Sequence, residues 1–178
     1  MPVDIHYIVR QMRDSDIEAV VSLESEIFPD AWPAESFRES MDVSDGGGLI
    51  VESKNGPARK LLAYACYYSA AGETHVTNLA VAPDYRRRGI ANKILASLNE
   101  KAKTSLSDAI FLEVRASNGP AIKLYESRGF QELYRRKNYY HDPREDAVVF
   151  VLEFSSTAKH RGGAKSVNTS ISQRAEKP

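Results

Sequence analysis

The 178-residue chain contains a single cysteine, Cys66, so no internal disulfide can brace it and a reducing compartment is expected. It has no excess of either charge. Its 24 lysines and arginines balance 24 aspartates and glutamates, which removes any global pull toward nucleic acid or a membrane surface. No apolar run approaches the roughly 20 residues of a bilayer span. Asp4, His6 and Arg10 break up the N-terminus before a signal-peptide core could form. His6, His75, His141 and His160 are scattered, and no pair has the spacing of a helical zinc motif, so no metal is expected. With an apolar fraction of 42%, the remaining expectation is a cytoplasmic protein, long enough for one domain with a full core.

The pattern along the chain alternates between the two regular periods. His6 to Met12 reads as a strand. Ser15 and Glu18 have capping-box spacing at the start of a helix that Ile17, Val20, Val21 and Leu23/Glu24 carry toward Phe28. Pro29–Pro33 breaks it, and Pro33 suits the first turn of a second helix through Met41. Gly46-Gly47-Gly48 reads as a turn before a strand at Leu49–Ser53, and Lys54-Asn55-Gly56-Pro57 reads as a hairpin tip. Leu61–Tyr68 and Thr74–Val81 complete an antiparallel meander. Ile90, Ile94, Leu95 and Leu98 recur at helical spacing, which predicts a helix from Arg87 to about Thr104. A strand at Ala109–Val114 and a helix at Asn118–Arg128 follow, the latter stopped by Gly129. Strands Phe130–Asn138 and Ala147–Phe154 flank the turn at His141–Arg144. This order implies an α/β (α+β) mixed sheet with helices on both faces. The domain is expected to span residues 1–154. Residues 155–178 change composition: Lys159, Arg161, Lys165, Arg174 and Lys177 outnumber Glu176, and few large apolar side chains remain. They read as a solvated basic extension, with a weak nucleic-acid contact as the functional alternative.

Asn78-Leu79-Ala80-Val81 runs into Ala82-Pro83-Asp84-Tyr85 and then Arg86-Arg87-Arg88-Gly89-Ile90-Ala91-Asn92. A helix start offers unpaired backbone N–H groups, and a glycine there lets an anion approach the main chain. Three arginines beside the positive end of a helix dipole are unfavourable unless an anion is bound, so this segment reads as a pyrophosphate grip. It is not a P-loop, for no Gly-Lys-Ser/Thr follows, and it lacks the three-glycine dinucleotide fingerprint. Glu113 interrupts the apolar strand Ala109–Val114 and shares a face with Phe111. Its carboxylate is either set at a cleft or paired with an arginine. Asn118 is a natural helix cap, and Tyr125 lies on the helix that Asn118 opens.

The Arg86–Ala91 segment resembles the Arg/Gln-x-x-Gly-x-Gly/Ala signature of the GNAT acetyltransferases. Leu112 through Phe130 resembles the second half of that signature, and more narrowly that of the bacterial RimI-type N-terminal alanine acetyltransferases. Ile27-Phe28-Pro29, Trp32, Arg135–Tyr140 and Glu145-Asp146-Ala147 extend the resemblance across roughly residues 7 to 154. It implies a mixed sheet splayed between its fourth and fifth strands, and acetyl-CoA as co-substrate. It makes Leu79, Ala80, Val81, Arg86, Arg87, Arg88, Gly89, Ile90, Ala91, Asn92 and Asn118 cofactor contacts. It makes Glu113 the proton acceptor and Tyr125 the proton donor. Phe28, Pro29, Trp32, Tyr139 and Tyr140 fall where the first residues of a peptide are held. The resemblance thus implies transfer to the α-amino group of a protein, most narrowly the N-terminal alanine of a small-subunit ribosomal protein. Transfer would be direct, leaving Cys66 a packing residue. Lysine side chains or small amines as acceptors, a non-catalytic acyl-CoA sensor and a basic-tailed ribosome-associated module are the alternatives.

Overall fold

A computed structural model describes residues 6–54 and 59–154. Asn55, Gly56 and Pro57 of the expected hairpin tip, and the basic extension after residue 154, lie outside the described residues. The elements are β1 (Tyr7–Gln11), α1 (Ile17–Ile27), α2 (Ala34–Asp42), β2 (Gly46–Ser53), β3 (Leu61–Ala70), β4 (Glu73–Val81), α3 (Ile90–Thr104), β5 (Ala109–Arg115), α4 (Gly119–Ser127), β6 (Gln131–His141) and β7 (Arg144–Glu153). The seven strands form one sheet in the order β1-β2-β3-β4-β5-β7-β6. Only the β4–β5 pair is parallel.

Strand alternation sorts the apolar residues into two cores. Leu49, Val51, Ala63, Ala65, Ile110, Leu112 and Val114 face α3 and α4, packing on Ile94, Leu98 and Tyr125. Ile50, Tyr64, Cys66 and Ala80 face the other way, onto Val20, Leu23 and Phe37 of α1 and α2. Each fully buried Ile or Leu in these layers contributes about 1.5–3 kcal/mol, so both helical layers are firmly seated on the sheet. Phe111, Glu113 and Arg115 alternate with the α3/α4-facing residues of β5 and therefore lie on the α1/α2 face.

The feature that makes a site is the failure of β4 and β5 to stay paired. They are in register only from Glu73–Val76 against Ala109–Leu112. Opposite β3, Asn78 pairs with Cys66 and Val76 with Tyr67, so Thr77 is an extra residue in β4. Such a bulge bends and twists its strand. β4 swings away from β5 beyond it, while β5 remains paired with β7 throughout, Ala109–Arg115 against Ala147–Glu153. The result is a wedge that opens between Asn78–Val81 and Glu113–Arg115.

Three local expectations are corrected. Gly46–Gly48 is not a turn but the start of β2, paired with Tyr68, Tyr67 and Cys66. The glycines are there because the chain passes so close: a Cβ on Gly46 would sit 2.8 Å from the Ser40 carbonyl, and one on Gly48 would sit 2.8 Å from Met12. The turn falls just before, at Asp45 with φ 56°. Ser15 and Glu18 do not cap α1. Instead Asp16 accepts the Arg13 N–H at 2.8 Å and closes a short 3₁₀ turn before the helix. Finally, α3 starts at Ile90 rather than Arg87, because Arg87 (φ 62°) and Gly89 (φ 76°) are left-handed and cannot be helical.

Candidate active site

The β4 edge of the wedge offers mostly main-chain atoms. Ala82 donates its N–H to Leu62 on β3 at 2.8 Å. Backbone alternation then turns Ala80 toward β3 as well, and turns Leu79 and Val81 into the wedge. Beyond Val81 the chain makes a 3₁₀ turn at Pro83–Tyr85, and the left-handed Arg87 and Gly89 swing it into α3. No side chain caps α3, and its first turn contains no acidic residue. The first N–H groups of a helix have no intrahelical acceptor, so this turn presents donors and positive dipole to solvent. A Cβ on Gly89 would meet no protein atom within 4 Å, so its φ alone requires the glycine and the space above it is open.

Arg86, Arg87 and Arg88 surround that opening and are all exposed. Arg86 bends back, its Nε donating to the Val81 carbonyl at 3.1 Å. Arg88 lies 5.4 Å from the centre of the Tyr85 ring, which Lys60 also approaches at 4.9 Å. Asn92 turns its side-chain carbonyl to Arg128 Nε at 2.7 Å, leaving its backbone for a ligand. Asn118 caps α4, its Oδ1 accepting the Ala121 N–H at 3.2 Å.

The β5 edge consists of side chains that hold one another. Glu113, a quarter exposed, accepts Arg136 Nη1 at 2.7 Å. Both readings of this carboxylate therefore hold together: it stands at a cleft and is paired with an arginine, on an interior strand. The Tyr139 phenol lies close enough to feel the charge of this carboxylate. Arg136 stacks over the Tyr139 ring at 4.3 Å, and Tyr139 meets Tyr140 edge-on at 5.1 Å. Burial, then the nearby negative charge of Glu113, raises both phenols far above the ordinary tyrosine range. Burial and the same carboxylate raise Tyr68 too. Next to Glu113, at the closed end of the wedge, Tyr68, His75 and Phe111 stack in a row at 4.9 and 5.3 Å.

A buried acid fixes the α1–α2 loop. Glu24 is 1% exposed and accepts the Trp32 N–H at 3.1 Å, Asn78 Nδ2 at 3.1 Å and the Tyr64 hydroxyl. Asn78 adjoins the bulge of β4, so one carboxylate ties the loop to the wedge. Phe28 and Trp32 pack on the α1/α2 core, Trp32 against Phe37 at 5.5 Å, while Pro29 is exposed.

Tyr125 comes from the other face of the sheet, packed between Phe130 and Phe150. Burial pushes its hydroxyl up to about 12. It is close enough to Tyr140 for the two to interact electrostatically, so α4 and β6 converge from opposite faces. Cys66 lies wholly within the α1/α2 core, and burial pushes its thiol up to about 12, which leaves no nucleophilic thiolate near neutral pH.

The structure therefore gathers Glu113, Tyr139 and Tyr140 on the β5 side of the wedge, keeps Tyr125 between Phe130 and Phe150 on the other face of the sheet, and places the Arg86–Ala91 turn at the end of the β4 edge. Reading the sequence missed Arg136 as the partner of Glu113, the contacts of Arg115 with Asp30, Glu145 and Tyr140 at the end of β5, and Glu24. Two of these left a signal. Arg115 shares the face of Glu113 at strand spacing, and Glu24 occupies an apolar position of α1 beside Leu23. Arg136 left none, since its pairing depends on how β6 folds back 23 residues later.

Comparison with known proteins agrees with this geometry. Residues 17–130 match the acetyltransferase (GNAT) family. The chain is 32% identical over 149 residues to the ribosomal protein bS18-alanine N-acetyltransferase of Escherichia coli K12, covering 83% of this chain and 97% of that protein. It is 39% identical over 113 residues to the Haemophilus ducreyi protein of the same name, covering 62% and 78%. The crystal structure of the Escherichia coli ribosomal-protein-S18-alanine N-acetyltransferase superposes with a TM-score of 0.77 at 30% identity, covering 89% of this chain and all of that one. A splayed sheet, an uncapped arginine-rich helix start and a matching sequence lead to one conclusion: the chain belongs to the GNAT family of acetyltransferases.

Proposed function

We propose that the chain transfers the acetyl group of acetyl-CoA to the α-amino group of a protein N-terminus, most narrowly the N-terminal alanine of ribosomal protein bS18, in the cytoplasm. One observation carries the reading. The wedge has an uncapped, arginine-rich turn on one edge and, on the other, the Glu113 carboxylate with Tyr139 and Tyr140 beside it, and the end of that strand is tied through Arg115 to Asp30 of the loop that carries Phe28, Pro29 and Trp32. Aromatic and apolar walls suit an extended main chain better than a polycation. Among the described residues no helix is long and apolar enough to cross a membrane.

The pyrophosphate sits on the N–H groups of Gly89 to Asn92, ringed by Arg86, Arg87 and Arg88, and the Asn118 amide contacts the same cofactor. The thioester arm lies along the inward backbone of Leu79 and Val81, beside Ala80. A thioester carbonyl between the strands meets main-chain N–H there, which stabilises the oxyanion that forms on attack. Glu113 takes the proton of the incoming ammonium, through a water, with Arg136 and Tyr139 orienting the carboxylate. An α-amine has a pKa of about 8 and a lysine amine about 10.4, a difference of about 3.4 kcal/mol in deprotonation. A single carboxylate meets the smaller demand more readily. Tyr125, near 12, keeps its proton across the neutral range. Its hydroxyl gives its proton to the departing sulfur as the tetrahedral centre collapses, and the second proton shed by the attacking nitrogen restores the phenol.

The test supplies acetyl-CoA with a peptide bearing the bS18 N-terminus, beside the same peptide blocked at its N-terminus and carrying a lysine. Mass spectrometry locates the acetyl group. Acetylation of the free N-terminus alone is expected. Modification of the blocked peptide would move the assignment to lysine, and transfer to neither would reject peptide acetylation.

A further inference from the structure

We propose that Arg115 is a positioning residue that holds the acceptor side of the cleft in one shape for a peptide, a deepening that rests on the N-terminal reading above. It closes β5, two residues after Glu113 and on the same face. Its side chain is only 18% exposed, and its guanidinium reaches two separate segments, the β6–β7 hairpin and the α1–α2 loop. Nη1 and Nη2 donate to the carbonyls of Pro143 at 3.0 Å and Asp142 at 2.9 Å, in the turn between β6 and β7. It faces Glu145 of β7 at 3.6 Å and Asp30 of the α1–α2 loop, next to Pro29, also at 3.6 Å. It lies 4.2 Å from the centre of the Tyr140 ring, which stands edge-on to Tyr139. Glu145 in turn accepts the Ser117 N–H, so the cluster extends to the loop that opens α4.

Only an arginine can serve this many partners at once. Its planar fork carries five donors in fixed directions and stacks on aromatic rings, whereas an ammonium is a single point charge. One guanidinium therefore joins both walls of the proposed peptide cleft, the Pro29 loop and the Tyr139–Tyr140 pair, in addition to the hold that Glu24 has on the loop and Arg136 on Tyr139. Remove it and Asp30 and Glu145 lose a shared cation, two turn carbonyls lose a donor and Tyr140 loses the group it stacks on. None of these contacts lies on α3 or on the β4 edge, and Asn118 is reached only at second hand through Glu145 and Ser117, whose N–H Glu145 keeps accepting without the arginine. The loss should fall on how the peptide is held, not on acetyl-CoA.

Initial rates are measured for Arg115→Met, which keeps the stem and loses the fork, and for Arg115→Lys, which keeps the charge. Misplacing a reacting group by about 1 Å costs up to about 100-fold, and Arg115→Met is expected to raise the peptide KM about tenfold while the acetyl-CoA KM moves less than about twofold. Arg115→Lys should recover part of that loss. Asp30→Asn, at a half-exposed residue that detaches only the loop, should shift the peptide KM the same way by a smaller factor, and it serves if Arg115→Met fails to fold. Combined with Arg115→Met it should add less than the product of the two. Equal rises in both KM values, a fall in kcat alone, or unchanged kinetics in folded Arg115→Met and Asp30→Asn would overturn the assignment. The wild-type control separates the two readings. If wild type fails to acetylate a free N-terminus, the peptide reading falls first. If it succeeds and the variants match it, only the role of Arg115 falls.

Discussion

On the β4 edge of the wedge the groups that face the opening are main-chain atoms, the inward backbone of Leu79 and Val81 and the uncapped N–H groups where α3 begins. On the β5 edge they are side chains, Glu113, Arg136, Tyr139, Tyr140 and Arg115, each held by another. The two edges should respond differently to substitution. Main-chain donors survive any side-chain change that leaves the backbone angles intact, so the first edge is vulnerable mainly at Gly89. A network of side chains is vulnerable at every member.

The largest expected effect is on the second edge. Glu113→Gln keeps the shape and removes the proton acceptor, and kcat should fall by about 10²–10⁴ while calorimetry gives an unchanged affinity for acetyl-CoA. If that affinity fell in parallel, the two edges would be one unit. Next is Tyr125→Phe, expected to lower kcat about 100-fold, the scale of losing one aimed donor. The pH profile sharpens this assignment. Activity should rise as the acceptor amine deprotonates near pH 8 and then stay level, because a phenol with a pKa of about 12 remains protonated throughout. A descending limb at about pH 9 would assign the donor to another group, since an unshifted phenol or thiol titrates near that range.

On the first edge, Gly89→Ala should raise the acetyl-CoA KM about tenfold and leave the peptide KM alone, at a folding cost of about 1–2 kcal/mol for forcing a side chain into the left-handed region. A Cβ there would touch no other protein atom within 4 Å, so any larger loss of cofactor binding reports the space the ligand occupies. The smallest effect is expected for Arg87→Ala. This exposed cation should change the acetyl-CoA KM by about twofold at low salt, and the change should fade as ionic strength rises.

The same contrast explains what could be read from the sequence. The order of strands and helices is local, written in Ile90-Ile94-Leu98 at helical spacing and in the breaks at Pro29–Pro33 and Gly129. The arginine-rich turn before α3 is also local, since its arginines and glycine are consecutive. Gly46–Gly48 misled because glycine serves both turns and close approaches, and only the folded positions of Met12 and Ser40 distinguish them. The start of α3 misled because the left-handed angle at Arg87 comes from the turn as a whole, not from arginine's own preference. Partnerships on the β5 edge are long-range. Arg115 and Asp30 are distant in sequence and meet only because the α1–α2 loop and β6–β7 hairpin close over the same strand end.

Cys66 matters at the bench as well as in the core. It is the chain's single cysteine, it is fully enclosed, and burial holds its thiol near 12. In the folded protein a colorimetric thiol reagent therefore has nothing on the enzyme to label and reads only the coenzyme A set free at each turnover. The same reagent, without substrate, becomes a clock for unfolding, because Cys66 reacts only when the packing of α1 and α2 on the sheet gives way. A single residue thus allows one cuvette to report turnover and stability separately, which is the separation every variant proposed above requires.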